Sequence, residues 1–215
     1  MIKTRTLIIG ALLANSCSSF YSFEEITDFV RTNYINEDLV IDSEYFDSKK
    51  YSFMKLSIGS SRSVVMSLES INSGIFKWIS EDNVAVYTRN GRIIKTEGLE
   101  HNIDIFSESR NDFDLVNNDS TLNKYSLNLY NPDYLSAQII ETIEYVDEID
   151  LLKIADQPRV KTKKYRVYGS LPNIKWDYKN LFYVNSDSGF IEKSHQFIHP
   201  KLPIINLEYY LIFKD

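Results

Sequence analysis

Val84-Ala85-Val86-Tyr87-Thr88-Arg89-Asn90-Gly91-Arg92-Ile93-Ile94-Lys95-Thr96 is the stretch whose reading decides the fold. Two short runs rich in β-branched and aromatic side chains flank an Asn-Gly pair. Both turn residues tolerate positive φ, which a type I′ turn needs at its two central positions and which matches the twist of paired strands. The stretch therefore predicts a β-hairpin. A second is expected around Asn185-Ser186-Asp187-Ser188-Gly189, between Leu181–Val184 and Phe190–Phe197. The same strand chemistry recurs at Tyr51–Ile58, Ser63–Leu68, Ile75–Ile79, Tyr125–Tyr130, Ala137–Tyr145, Val160–Tyr168 and Leu207–Phe213. About ten strands with no long helix between them predict an all-β, mainly antiparallel sheet curled into a barrel or half-barrel. With only 7 Gly and 5 Pro, most turns fall to Asn, Asp and Ser. Gly59-Ser60-Ser61 and Gly169-Ser170 read as turns. Tyr209 and Tyr210, neighbours on the last strand, must point to opposite faces, so one of them is expected to be exposed.

Upstream of the strands the pattern changes. Phe20, Phe23, Ile26, Phe29 and Val30 recur at helical spacing, and Ser22 with Glu25 fits a capping box, so a short N-terminal helix is expected over Phe20–Tyr34. Asn33 to Lys50 is polar and acidic and reads as a linker or loosely packed cover. At the start, Lys3 and Arg5 precede the apolar run Leu7–Ala14. A membrane-spanning helix needs roughly 20 apolar residues, so this run suits a secretory signal instead. It ends at Leu13-Ala14-Asn15-Ser16-Cys17, which resembles a bacterial lipoprotein signal, where small residues precede a cysteine that is lipidated and becomes the new N-terminus. Lipid chains on Cys17 would anchor the protein to a membrane, each buried methylene contributing about 0.8 kcal/mol. The alternative is an ordinary cleaved signal that happens to contain a cysteine. The expected organisation is a signal over 1–16, a helix and acidic linker over 17–50, and a single β-rich domain over 51–215.

Composition narrows the function. The 215 residues carry 24 basic and 30 acidic side chains, a formal net charge of −6. Loss of the signal removes Lys3 and Arg5 and makes the chain more acidic still. That balance argues against nucleic acid, whose phosphates call for a basic face. Cys17 is the one cysteine, so neither an intrachain disulfide nor a cysteine-rich zinc site can form.

Read together, the blocks point to a family. Trp78-Ile79-Ser80-Glu81-Asp82-Asn83, running into the hairpin through Thr96, is similar to the central block of the YjbF family of group 4 capsule polysaccharide lipoproteins. Leu181-Phe182-Tyr183-Val184-Asn185-Ser186-Asp187-Ser188-Gly189-Phe190-Ile191-Glu192-Lys193-Ser194-His195-Gln196 resembles its C-terminal block, with Pro203–Phe213 as a final strand. Tyr165–Trp176 stands where the family has its preceding strand and a tryptophan. The resemblance covers Cys17 and roughly Tyr51–Phe213, and is strongest over Phe76–Gly98 and Leu181–Gln196. It implies an outer-membrane lipoprotein facing the periplasm, working with envelope polysaccharide-export proteins in making or exporting an extracellular polysaccharide. It brings no catalytic residue to transfer to this chain, and no cofactor.

The residues themselves offer little chemistry. Of the three histidines, His195 and His199 lie four apart, but Pro200 follows and no third ligand stands at a familiar spacing, so His101, His195 and His199 read as ordinary surface or packed side chains rather than a metal site. Glu141, Glu144, Asp147, Glu148 and Asp150 cluster. A glycosidase needs two acids facing each other across roughly 5–9.5 Å, which neighbours on one strand seldom achieve, so a solvated face or loop is expected. Arg159, Lys161, Lys163, Lys164 and Arg166 form the one concentrated basic stretch. Alternation puts Arg159, Lys161 and Lys163 on one face and Lys164 and Arg166 on the other. They could meet an anionic polysaccharide or lipid headgroup; an exposed edge strand guarded by lysines explains them equally well. Trp78 and Trp176 read as core.

Three readings remain. The first is a non-enzymatic, lipid-anchored periplasmic accessory factor in polysaccharide export, docking onto envelope proteins or holding a glycan. The second is a half-barrel carrier for a lipid or lipoprotein. The third is a glycan-cleaving enzyme.

Overall fold

The structure is a computed structural model that describes residues 38–106, 115 and 122–212. The signal, Cys17 and the helix expected over Phe20–Tyr34 lie outside the described residues. Twelve strands follow in order: β1 Phe53–Ile58, β2 Val64–Asn72, β3 Ile75–Ile79, β4 Ala85–Arg89, β5 Arg92–Glu97, β6 Ile103–Phe106, β7 Leu122–Leu129, β8 Tyr134–Leu151, β9 Val160–Leu171, β10 Trp176–Asn185, β11 Ile191–Gln196 and β12 Ile205–Tyr210. Each pairs antiparallel with its neighbours in sequence, and β1 pairs with β12 from Phe53↔Tyr210 to Ile58↔Ile205, closing the sheet. The curled all-β sheet forms as a full barrel, and the open half-barrel does not.

Both hairpins are where the sequence puts them. At the first, Arg89 pairs with Arg92 around Asn90 (φ 48°) and Gly91 (φ 69°), the two positive φ values of a type I′ turn. At the second, the Asn185 side-chain oxygen accepts from the N–H groups of Asp187 (2.9 Å) and Ser188 (3.0 Å), and Gly189 takes φ 75°. In an up-and-down barrel every second turn lies at the same end, so these two turns face each other across one mouth.

The strands expected at Tyr125–Tyr130 and Ala137–Tyr145 form as β7 and β8 and join the same sheet with β6, β8 continuing to Leu151, paired with β9 down to Leu151↔Val160. Three expectations change. Gly169-Ser170 is not a turn but lies within β9, close to its end, for a reason given below. The basic stretch is not an edge: β9 has β8 on one side and β10 on the other. Finally, Tyr209 and Tyr210 are both buried, at 3% and 1% exposure. Tyr209 faces the interior, whereas Tyr210 faces outward and is covered there. Its ring stacks on Phe53 at 4.8 Å and 8°, under Ile41, Tyr45 and Phe46 of the preceding segment. That segment contains a short helix, α1 (Ser43–Asp47), capped by Asp42 accepting from Tyr45 N–H at 2.8 Å. The acidic stretch thus packs on the barrel as a cover over its described part.

Twelve strands could enclose a lumen, yet the interior is mostly filled by Met54, Trp78, Ile93, Leu127, Ile139, Val167, Phe182 and Leu207 among others. The barrel is pinched. β5 pairs with β6 only at Lys95↔Asp104, which leaves Gly91 C=O and Ile93 N–H without a strand partner. Gln196, on the opposite wall, supplies both bonds: its oxygen accepts from Ile93 N–H at 3.0 Å, and its amide donates to Gly91 C=O at 2.8 Å. One side chain thereby imitates a strand edge across the lumen. Gly91 is needed for this approach, because a methyl group there would overlap Ile191.

Candidate functional site

The pinch leaves two interior features. The first is a pocket of about 260 Å³ at the mouth where the two hairpin turns meet. Phe76 and Trp78 of β3 form one wall, their rings stacked at 5.9 Å and 17°. Trp78, 1% exposed, sits behind and donates its indole N–H to Thr88 Oγ1 at 2.9 Å. Asn90 and Gly91 close one rim; Ser188, Gly189 and Phe190 close the other. The rims are held in place. Tyr209 donates its hydroxyl to Gly91 C=O at 3.0 Å beside the Gln196 clasp, and Asn185 fixes the second turn. Burial pushes the Tyr209 hydroxyl well above its ordinary pKa, so it stays a donor.

The second is a buried ion pair. Arg92 points inward from β5, and its Nη1 lies 2.6 Å from Glu141 Oε2 of β8, with side-chain exposures of 5% and 1%. Arg92 also donates to the Tyr125 hydroxyl at 3.0 Å, and the Tyr178 hydroxyl donates to Glu141 Oε1 at 2.5 Å. The register explains the last bond. Glu141, Gly169 and Tyr178 stand side by side on β8, β9 and β10. Only a glycine in the middle lets the Tyr178 ring lie across β9 to reach the acid; a methyl group on Gly169 would overlap that ring. Burial opposes the charge on Arg92, but the Glu141 carboxylate overcomes it and holds the guanidinium protonated. Burial drives the Tyr125 and Tyr178 hydroxyls up, so both remain neutral donors. The space left around the cluster is about 20 Å³, room for about one water.

The residues singled out in the sequence are scattered. Of the acidic run, Glu141 is buried, while Glu144 points outward and bonds Arg166 at 2.9 Å. The register then sets Asp147, Glu148 and Asp150 opposite Lys164, Lys163 and Lys161. The acidic and basic stretches are thus complementary halves of one strand pair, with Arg159 exposed just before β9. His195 does not meet His199. It faces outward and bonds Asn206 Oδ1 at 2.7 Å, about 14 Å from β8 at three interstrand spacings. His199 is buried, its Nδ1 accepting from Lys201 N–H at 3.0 Å, and stacks on His101 at 4.8 Å. Burial, His101 and Lys201 lower its pKa to about 4. Among the described residues no group of three or more His, Cys, Asp or Glu side chains could hold a metal ion. Trp78 is core, and Trp176 packs partly buried against it.

The family described as "Group 4 capsule polysaccharide lipoprotein gfcB, YjbF" matches residues 21–210. The chain belongs to this family. A curated YjbF-family relative, the uncharacterized lipoprotein GfcB of Escherichia coli strain K12, is 25% identical over 198 residues, 89% of this chain and 90% of that one. The crystal structure of the hypothetical lipoprotein YmcC from Escherichia coli K12 superposes with a TM-score of 0.70 at 19% identity, covering 91% of this chain and 99% of that one. It shares the fold. In this YjbF-family chain the blocks that carry the resemblance, around Trp78–Thr96 and Leu181–Gln196, build the two hairpins, the pocket rims and both ends of the Gln196 clasp. The ion pair went unread in the sequence, although two signals stood there: Arg92 directly after a turn glycine, and Gly169 inside a strand pattern.

Proposed function

We propose that this chain is a lipid-anchored, non-enzymatic envelope protein on the periplasmic side of the outer membrane that serves the production or export of a group 4 capsule-type polysaccharide. The family match over residues 21–210 carries the reading, and the lipoprotein-like signal ending at Cys17 supplies the anchor. The barrel's polarity supports anchoring by lipid rather than by the strands. A membrane barrel is apolar outside and polar within. Here the outer face carries the ion pairs Lys77–Glu69, Lys193–Glu208 and Arg166–Glu144, and the interior is packed with aliphatic and aromatic side chains.

An accessory rather than catalytic role fits the state of the buried acid. Glu141 is bound by Arg92 and Tyr178, and no second acid of its run turns inward beside it. The carrier reading loses support because the sheet is closed and its interior mostly filled. Deletion of the gene, with surface polysaccharide quantified per cell, tests the proposal. The expected result is a large loss that the intact gene restores. Unchanged polysaccharide would end it.

A further inference from the structure

We infer that the pocket between the two hairpin turns binds a single sugar ring of a polysaccharide chain, a step that rests on the polysaccharide reading above. The shape and chemistry of the cavity select this class. Its wall at Phe76 and its rim at Phe190 are flat and aromatic, suited to the C–H face of a pyranose. Its rims carry the Asn90 amide, the Ser188 hydroxyl and the backbone of two tight turns, suited to the hydroxyls around the ring edge. An acyl chain matches the walls but leaves the exposed Asn90 and Ser188 side chains at the rim unused. The volume of about 260 Å³ accommodates one ring.

The rims are also more firmly fixed than two surface turns require. Gln196 and Tyr209 both bond Gly91 C=O, and the Asn185 side chain bonds two successive N–H groups of the other turn. A site built this way loses little conformational freedom when it closes on a weakly held ligand. The blocks by which the family is recognised in this chain, more than eighty residues apart, meet at this pocket.

The test uses the folded protein in a Trp176→Phe background, so that the fluorescence of Trp78, behind the pocket wall, reports occupancy. The probes are oligosaccharides of two to six rings, released by mild acid from the polysaccharide the cell exports, and sodium palmitate. Saturable binding of the oligosaccharides is expected, with a Kd below about 1 mM. Phe190→Ser and Ser188→Trp, which change the exposed rim, are expected to raise Kd at least tenfold while leaving the thermal midpoint in place. Three results would overturn the inference: no saturable binding by wild-type protein, binding that both variants retain, or palmitate filling the pocket in place of the saccharide. A deletion phenotype without saccharide binding would refute only the pocket; a missing deletion phenotype would remove the reading beneath it.

Discussion

Replacing Arg92 with Met leaves Glu141 as a carboxylate that is 1% exposed and has lost its cation. Removing one partner of a buried pair costs about 3–5 kcal/mol, because the remaining charge has neither water nor counter-charge. The cation–π contacts of Arg92 with Tyr125 (5.7 Å) and Phe182 (5.9 Å) are lost as well. Against a total domain stability of about 5–15 kcal/mol this is a large fraction. With a urea m-value of about 2 kcal/mol/M, it lowers the unfolding midpoint by roughly 2 M. Arg92→Met/Glu141→Leu removes both charges. Such replacements are often neutral, but here the Tyr125 and Tyr178 hydroxyls lose partners, so the double variant should lie only about 1–3 kcal/mol below wild type. The double-mutant cycle should then show a coupling of at least about 2 kcal/mol. Urea titrations followed by circular dichroism supply all four corners. A cost below about 1 kcal/mol for Arg92→Met, or strict additivity, would refute the reasoning.

Three further outcomes follow from the same geometry. Gly169→Ala should destabilise by about 2–4 kcal/mol, because the methyl group displaces Tyr178 from Glu141; backbone preference alone would make alanine stabilising, so the sign of the change in a thermal melt decides. Gln196→Leu strands Ile93 N–H, at about 1–3 kcal/mol, and should speed hydrogen exchange at the Ile93 amide by more than tenfold, while Gly91 C=O keeps the Tyr209 hydroxyl. His199 takes up protons more readily unfolded, near 6.5, than folded, at about 4, so its contribution to stability is present above pH 6.5 and is lost as pH falls toward 4. Partial solvent screening brings the loss to on the order of 2 kcal/mol, and His199→Asn, which keeps an acceptor for Lys201 N–H, should flatten that part of the stability–pH curve.

How much of this could be read in the sequence depended on whether a feature was local. Asn90-Gly91 revealed its hairpin because two positive φ values in a row leave few alternatives. Asn185 did the same through its own side chain. The family blocks were local too, and they placed the pocket rims without showing that they meet. By contrast, Ile103–Phe106 is four residues with one fully buried side chain, too short for a pattern to emerge. Tyr210 owes its burial to Ile41 and Phe46, more than 160 residues earlier, so strand alternation alone put one of Tyr209 and Tyr210 in solvent. Glu141 looked like one more acid in a charged run. Its inward direction comes from β8 alternation, and its partner Arg92 comes from a strand 49 positions away in sequence. Gly169 was taken for a turn because glycine usually marks one; here its missing side chain makes room for Tyr178. Gln196 carried no signal at all, since its work is set by a gap in the pairing of β5 with β6.

The central claim is that an anchored, non-catalytic barrel supports surface polysaccharide. Its most direct measurement is polysaccharide per cell in the deletion strain complemented with wild-type or Cys17→Ser protein at matched abundance. The account predicts full restoration by wild type and failure by Cys17→Ser, whose barrel still folds but is no longer held at the membrane. Restoration by Cys17→Ser equal to wild type, or no response to either, would contradict it.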